Sequence, residues 1–353
     1  MSPPITRRPS GATSSPGVGL TGTRTLRMLG LILFVVVLAG IAAASVAVGA
    51  RPIPFSTVVD AFAAFDGSNE HQIVRDLRIP RTAAGLLVGA ALGASGALIQ
   101  ALTRNPLADP GLLGVNAGAA LSVAIGIAVF GVGSVSGYLW FAFAGALVAT
   151  LGVYGIGAAA TGAVDPVRLT LAGVAMGAVL MGVTSALMLL QPRTFDHMRG
   201  WNAGTLAARG PDVLLPTAPF VALGLTLALV AARSLNGIAL GDDLAASLGV
   251  SVHRTRAVVI VAVTFLAGTA TAIAGPIAFV GLMIPHIARW IVGPDQRWIL
   301  AYTIVLAPIL LLLADGIGRV ATSPGEVPVG IVTAFVGAPV LILLIRNRRA
   351  IGL

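Results

Sequence analysis

Residues Arg78 to Gly118 read R-I-P-R-T-A-A-G-L-L-V-G-A-A-L-G-A-S-G-A-L-I-Q-A-L-T-R-N-P-L-A-D-P-G-L-L-G-V-N-A-G, and this stretch decides the fold. Two arginines bracket a proline, and the run from Thr82 to Leu102 that follows carries no charge. That is about the length of helix needed to span a bilayer's hydrocarbon core. Gly85, Gly89 and Gly93 recur on one face of it, with Ala97 continuing the row. Small residues at this spacing let another helix's backbone come close, so the row is expected to pack against a helix. The run ends at Arg104-Asn105-Pro106, because proline and the residue before it resist helical continuation. Asp109-Pro110-Gly111 then turns the chain into a second apolar run.

The whole chain shares this character. Of its 353 residues, 57% are hydrophobic and only 10% charged. The mean hydropathy is +0.96. A soluble domain carries roughly a quarter charged residues, so the solvent here must be largely lipid. The net charge is +9, but no dense basic patch interleaved with aromatics accompanies it, and nucleic acid is not an expected partner. There are no cysteines, which excludes disulfides and thiolate metal sites. All 22 basic residues are arginine. A P-loop requires a lysine to reach the phosphates, so any ATP that drives this protein must sit on another polypeptide.

The opening stretch resembles the permease subunits of ABC importers for iron–siderophore complexes, cobalamin and haem. The matching pieces are Arg78-Ile79-Pro80-Arg81, Gly89-Ala90-Ala91-Leu92, Ser95-Gly96, Gln100 and Asn105-Pro106-Leu107-Ala108-Asp109-Pro110-Gly111-Leu112-Leu113-Gly114. Later pieces extend it: Gly275-Pro276, Gly293-Pro294-Asp295, Pro324-Gly325-Glu326-Val327-Pro328 and Gly337-Ala338-Pro339. The family commonly has histidine where Gln296 stands. The resemblance implies a multi-pass protein of a prokaryotic plasma membrane, without catalysis or a cofactor of its own. It implies a second permease subunit, two ATP-binding subunits and an extracytoplasmic substrate-binding protein. The implied cargo is a ferric siderophore, with haem or cobalamin as alternatives.

Read along its length, the chain is an all-α polytopic membrane protein. Residues 1–26, rich in Ser, Thr, Pro, Gly and Arg, read as a disordered cytoplasmic tail. Residues 27–353 read as a single transmembrane domain. Apolar runs at 28–50, 82–102, 112–131, 137–160, 168–191, 212–232, 255–274, 276–292, 298–318 and 327–345 suggest about ten spans. The first is too long for a signal peptide's apolar core. An even number puts both termini on one side. Arg7, Arg8, Arg24, Arg27, Arg346, Arg348 and Arg349 place that side in the cytoplasm. Five plus five spans would allow an inverted repeat.

Three regions carry candidate function. The polar interruption 233–256 includes a short helix led by Asp242 and Asp243 and closed by Gly249. Leu244, Ala245 and Leu248 are expected to share an exposed apolar face there, which wants a partner. With Gly249 they are similar to the coupling loop by which such permeases rest on their ATPase. The segment 192–211 reads as an outward loop with a short interfacial helix, placing Trp201 at the membrane boundary.

The third region is a minority of arginines that the same topology puts outside. Arg78 and Arg81 lie at the mouth of span two and Arg319 at the outer end of span nine. They are expected to form a docking surface for acidic groups of the binding protein, since the guanidinium fork suits carboxylates. Lipid headgroups, or pairing with Asp76 and Asp315, are the alternative. An ion-coupled secondary transporter is the rival class. It would need a carboxylate at mid-bilayer, and Asp315 is its one candidate.

Overall fold

A computed structural model describes residues 19–49, 52–158, 166–322 and 325–347. All regular structure among them is helical. The order is α1 (Arg24–Ala47), α2 (Phe55–Ala63), α3 (Asn69–Gln72), a π-turn (Ile73–Arg78), α4 (Ile79–Thr103), a 3-10 turn (Pro110–Leu113), α5 (Val115–Phe130), α6 (Val135–Ala158), α7 (Pro166–Leu190), α8 (Pro192–Asn202), α9 (Pro211–Ile238), α10 (Asp242–Ser247), α11 (Val252–Ala274), α12 (Val280–Val292), α13 (Gln296–Ala321) and α14 (Val329–Asn347).

Each of the ten apolar runs becomes a helix, but among the described residues seven are long and apolar enough to cross a membrane; α5, α12 and α14 are shorter. The structure gives a physical reason for two of the short ones. Gly281, at the start of α12, lies against the backbone of Gly96 in α4 and beside Pro110. Gly96 is seven residues, about 10 Å, before the end of α4 at Thr103. The turn 110–113 therefore dips back into the bundle before α5 begins. Non-helical backbone at such depth is tolerated when protein rather than lipid covers it. Pro110 and Leu113 are indeed buried.

Helix α4 is the centre of the bundle. In its most apolar stretch 78% of residues are buried, as in α11, against 11% in α1 and α7. Its glycine row lies on α13. A Cβ on Gly89 would sit 2.6 Å from Pro308 Cα, one on Gly93 2.6 Å from Ala307 Cβ, and one on Gly85 2.5 Å from Leu312 Cδ2. Two backbones thus meet where lipid offers no hydrophobic drive and contact distance decides association.

The chain before α1 departs from the expected tail. Residues 1–18 lie outside the described residues. The amides of Leu20 and Thr21 donate to the carbonyls of Trp290 and Ile291 at 3.2 and 3.0 Å. Those carbonyls belong to the last turn of α12, where no intrahelical donor remains. Thr23 accepts from Leu26 N and starts α1. Residues 19–26 are therefore a strap plus a helix start, because α12 offers them a row of acceptors. The segment 192–211 departs too: Trp201 is buried, and the Gly204 amide donates to its carbonyl.

Candidate functional site: a leucine stripe at one end and an arginine cluster at the other

Helix α10 begins after Gly241, whose φ of +110° is natural only for glycine, and ends at Gly249 with φ +81°. The amides of Leu248, Gly249 and Val250 donate back to the carbonyls of Leu244, Ala246 and Ala245, so six residues close without help from solvent. Ala245 is fully buried and points toward Gly237 of α9. This corrects the expected shared face: a side chain with no exposure cannot touch a partner. Leu244 and Leu248 are 49% and 63% exposed, and Leu240, which the sequence pattern did not single out, is 60% exposed. Leu244 and Leu248 lie one helical turn apart on α10 and its C-cap. Leu240 precedes the non-helical Gly241, and the three exposed leucines together make up the leucine stripe at this end. Gly249 is exposed beside it.

Charged groups brace this stripe. Arg104 ends α4 in the left-handed conformation (φ +50°) and donates from Nε to the Ile238 carbonyl at 2.9 Å. Its NH2 donates to Asp242 Oδ1, while Arg256 of α11 donates to Asp242 Oδ2 at 2.7 Å. One carboxylate thus joins α10 to the ends of α4 and α11. The Asn236 amide donates to Asp295 Oδ1 at 2.9 Å and its carbonyl accepts from Gln296 N at 2.8 Å, fixing α9 to the start of α13.

The opposite end holds Arg78, Arg81 and Arg319. Arg78 donates to the carbonyls of Val46 and Ala47, and Arg319 to those of Ser45 and Val48. Four carbonyls around the end of α1 are thereby satisfied by two guanidinium groups, which also complement the helix dipole. Arg81 grips Asp315 with Nε and NH2 at 2.8–3.1 Å and reaches Glu326 with NH1 at 2.7 Å. Arg319 Nε lies 3.1 Å from Asp315 Oδ2, an ion-pair contact without hydrogen-bond alignment. Asp315 is 1% exposed, and Arg78 and Arg319 are buried. As an exposed docking set, the three arginines meet a difficulty: two have their donors turned inward onto α1. Only Arg81 reaches a half-exposed carboxylate, that of Glu326. His286 packs edge-on against Trp290 at 5.0 Å between ring centroids.

The model of the FecCD transport family matches residues 29–347 of this chain. The chain belongs to the FecCD transport family. The ferric enterobactin transport permease FepD of Escherichia coli K12 is 51% identical over 327 residues, covering 92% of this chain and 96% of its own. The iron(3+)-hydroxamate import permease FhuB of Bacillus subtilis 168 is 42% identical over 312 residues, covering 86% and 79%. The cobalamin import permease BtuC of Halobacterium salinarum is 39% identical over 277 residues, covering 78% and 74%. Among solved structures, an inward-facing metal-chelate type ABC transporter superposes with a TM-score of 0.80 at 26% identity, covering 91% of this chain and 99% of its own. The fold is therefore that of an ABC transporter permease, and the named relatives are transport permeases.

Proposed function

We propose that this chain is the membrane-spanning subunit of a binding-protein-dependent ABC importer for ferric siderophores. The observation that carries the cargo is its 51% identity, over nearly the full length of both chains, to a ferric enterobactin permease. Ten spans with both termini in the cytoplasm fit the seven long and three shorter apolar helices. In that orientation the stripe Leu240, Leu244 and Leu248 faces the cytoplasm and seats a separate ATPase. The Arg81–Glu326 rim faces outward and receives an acidic group of the binding protein, while Arg78 and Arg319 hold that rim in place. A second permease subunit packs against α7, where a Cβ added at Gly177 or Gly182 would meet nothing within 4 Å among the described residues. Outward glycines leave room for a partner helix.

The ion-coupled rival loses its carboxylate. Asp315 is neutralised by Arg81 and Arg319, and a gripped carboxylate is unsuited to binding and releasing an ion. The test is uptake into proteoliposomes carrying the permease, its ATPase and its binding protein. Ferric enterobactin, ferric hydroxamate, ferric citrate, haem and cobalamin are offered in turn. ATP-dependent uptake of a ferric siderophore is expected. Uptake of haem or cobalamin alone, or uptake driven by an ion gradient without the ATPase, would overturn the proposal.

A further inference from the structure

Helix α2 has three distinct faces. At 100° per residue, Phe55, Val59 and Phe62 fall within an arc of about 60°. They are 62%, 48% and 60% exposed. Val58 and Ala61 form a second, buried face, and Ser56 and Asp60 a third, exposed and polar one. A helix between protein and water alone needs only two faces; the third, apolar and unpartnered, calls for a further phase.

The mount of this helix is rigid. Its buried face packs with Ile53 and Val74 onto Val46 and Ala47, at the end of α1. Arg75 donates to the carbonyls of Ala61 and Phe62 in the last turn of α2. The Arg75 guanidinium also lies 4.2 Å from the centre of the Phe65 ring, whose other neighbour is His71. The phenylalanines are thus held outward on a braced helix and do not belong to a frayed loop.

The position identifies the occupant. Helix α1, on which α2 rests, is among the least enclosed of the spanning helices and exposes Ile32, Leu33 and Val36 along its length. Such a surface faces acyl chains. Val48 and Leu77, on the segments that Arg78 ties together at the top of α1, are exposed as well. The apolar row of α2 therefore continues the lipid-facing side of the bundle around its rim, with a charged residue, Asp60, on the adjoining water face. We propose that α2 is an interfacial helix: Phe55, Val59 and Phe62 enter the acyl-chain boundary of the leaflet at this end, and Ser56 and Asp60 face water. The helix anchors the depth of the arginine cluster beside it, whatever cargo the protein carries.

The chain lacks cysteine, so single cysteines can be spin-labelled one at a time. The full chain is reconstituted into phosphatidylethanolamine–phosphatidylglycerol vesicles as Phe55→Cys, Ser56→Cys, Val59→Cys, Asp60→Cys and Phe62→Cys. All five positions are exposed, so the substitutions leave the core intact. Collision with dissolved oxygen, which partitions into lipid, is compared with collision with a water-soluble nickel chelate. The oxygen-to-nickel ratio is expected to be several-fold higher at 55, 59 and 62 than at 56 and 60. A nickel-dominated signal at all five positions would put α2 in water and overturn the proposal. So would shielding of 55, 59 and 62 from both reagents, which would mean that a second copy or another protein covers the row.

Discussion

Both ends of this bundle are organised by arginine–aspartate contacts, yet they differ in what those contacts leave outside. At the α1–α13 end the shared carboxylate, Asp315, is 1% exposed and is held by two arginines from two helices. At the α10 end the shared carboxylate, Asp242, is 41% exposed, and the pairs brace a leucine stripe that is about half exposed or more. Buried charges are costly unless paired, so the first arrangement reads as structure. The Arg104–Asp242 pair is exposed by about 40% on both sides, and such pairs contribute little stability, so the second reads as positioning for a surface that needs a partner, with the buried Arg256 as its inner anchor.

The sharpest way to break this contrast is Asp315→Asn. It leaves Arg81 and Arg319 without their common countercharge, and breaking a buried pair typically costs about 3–5 kcal/mol. Thermal unfolding in detergent should show a large fall in Tm, and an unchanged Tm would mean that the cluster is not a brace. Gly89→Leu should come next, since it forces a side chain into Pro308; overpacking typically costs about 1–3 kcal/mol. Wild-type Tm and transport in that variant would break the α4–α13 contact as described.

Leu248→Asp changes a residue that is 63% exposed, so Tm should hold while co-purification of the ATPase falls sharply. Retention of the ATPase at wild-type yield would detach the stripe from coupling. Asp242→Asn should lower Tm less than Asp315→Asn, because Asp242 and Arg104 are 41% and 40% exposed and such pairs contribute only about 0–1 kcal/mol, although Arg256 is buried. It should nevertheless reduce transport per ATP hydrolysed, the readout that a purely structural pair would not move.

The smallest effect sharpens the docking idea. Arg81→Glu would confound docking with loss of the Asp315 pair. Glu326→Gln instead frees Arg81 NH1 while leaving that pair intact. Binding-protein affinity should rise modestly, with a steeper salt dependence. Unchanged affinity and salt dependence would leave Arg81 a structural residue only.

The sequence by itself determined the solvent, the helical class, the order of the ten apolar segments and the lack of a lysine-bearing P-loop. These follow from composition, run length, proline punctuation and the missing lysine, all of which are local properties. It also carried the glycine row on α4 and the short helix after Asp242, because helical spacing and glycine turns are written in neighbouring residues. Only the tertiary structure decided where charges and faces point. Arg78 and Arg319 turn inward because the carbonyls at the end of α1, some thirty and some 270 residues away in sequence, lie within their reach. Ala245 faces α9 while Leu244 faces out, since a six-residue helix has too few turns for periodicity to assign its sides, and Leu240 lies in the turn before it. The shortness of α5 and α12 has the same origin. A turn can re-enter a bundle only when other helices are there to cover its backbone, and no single segment encodes its neighbours.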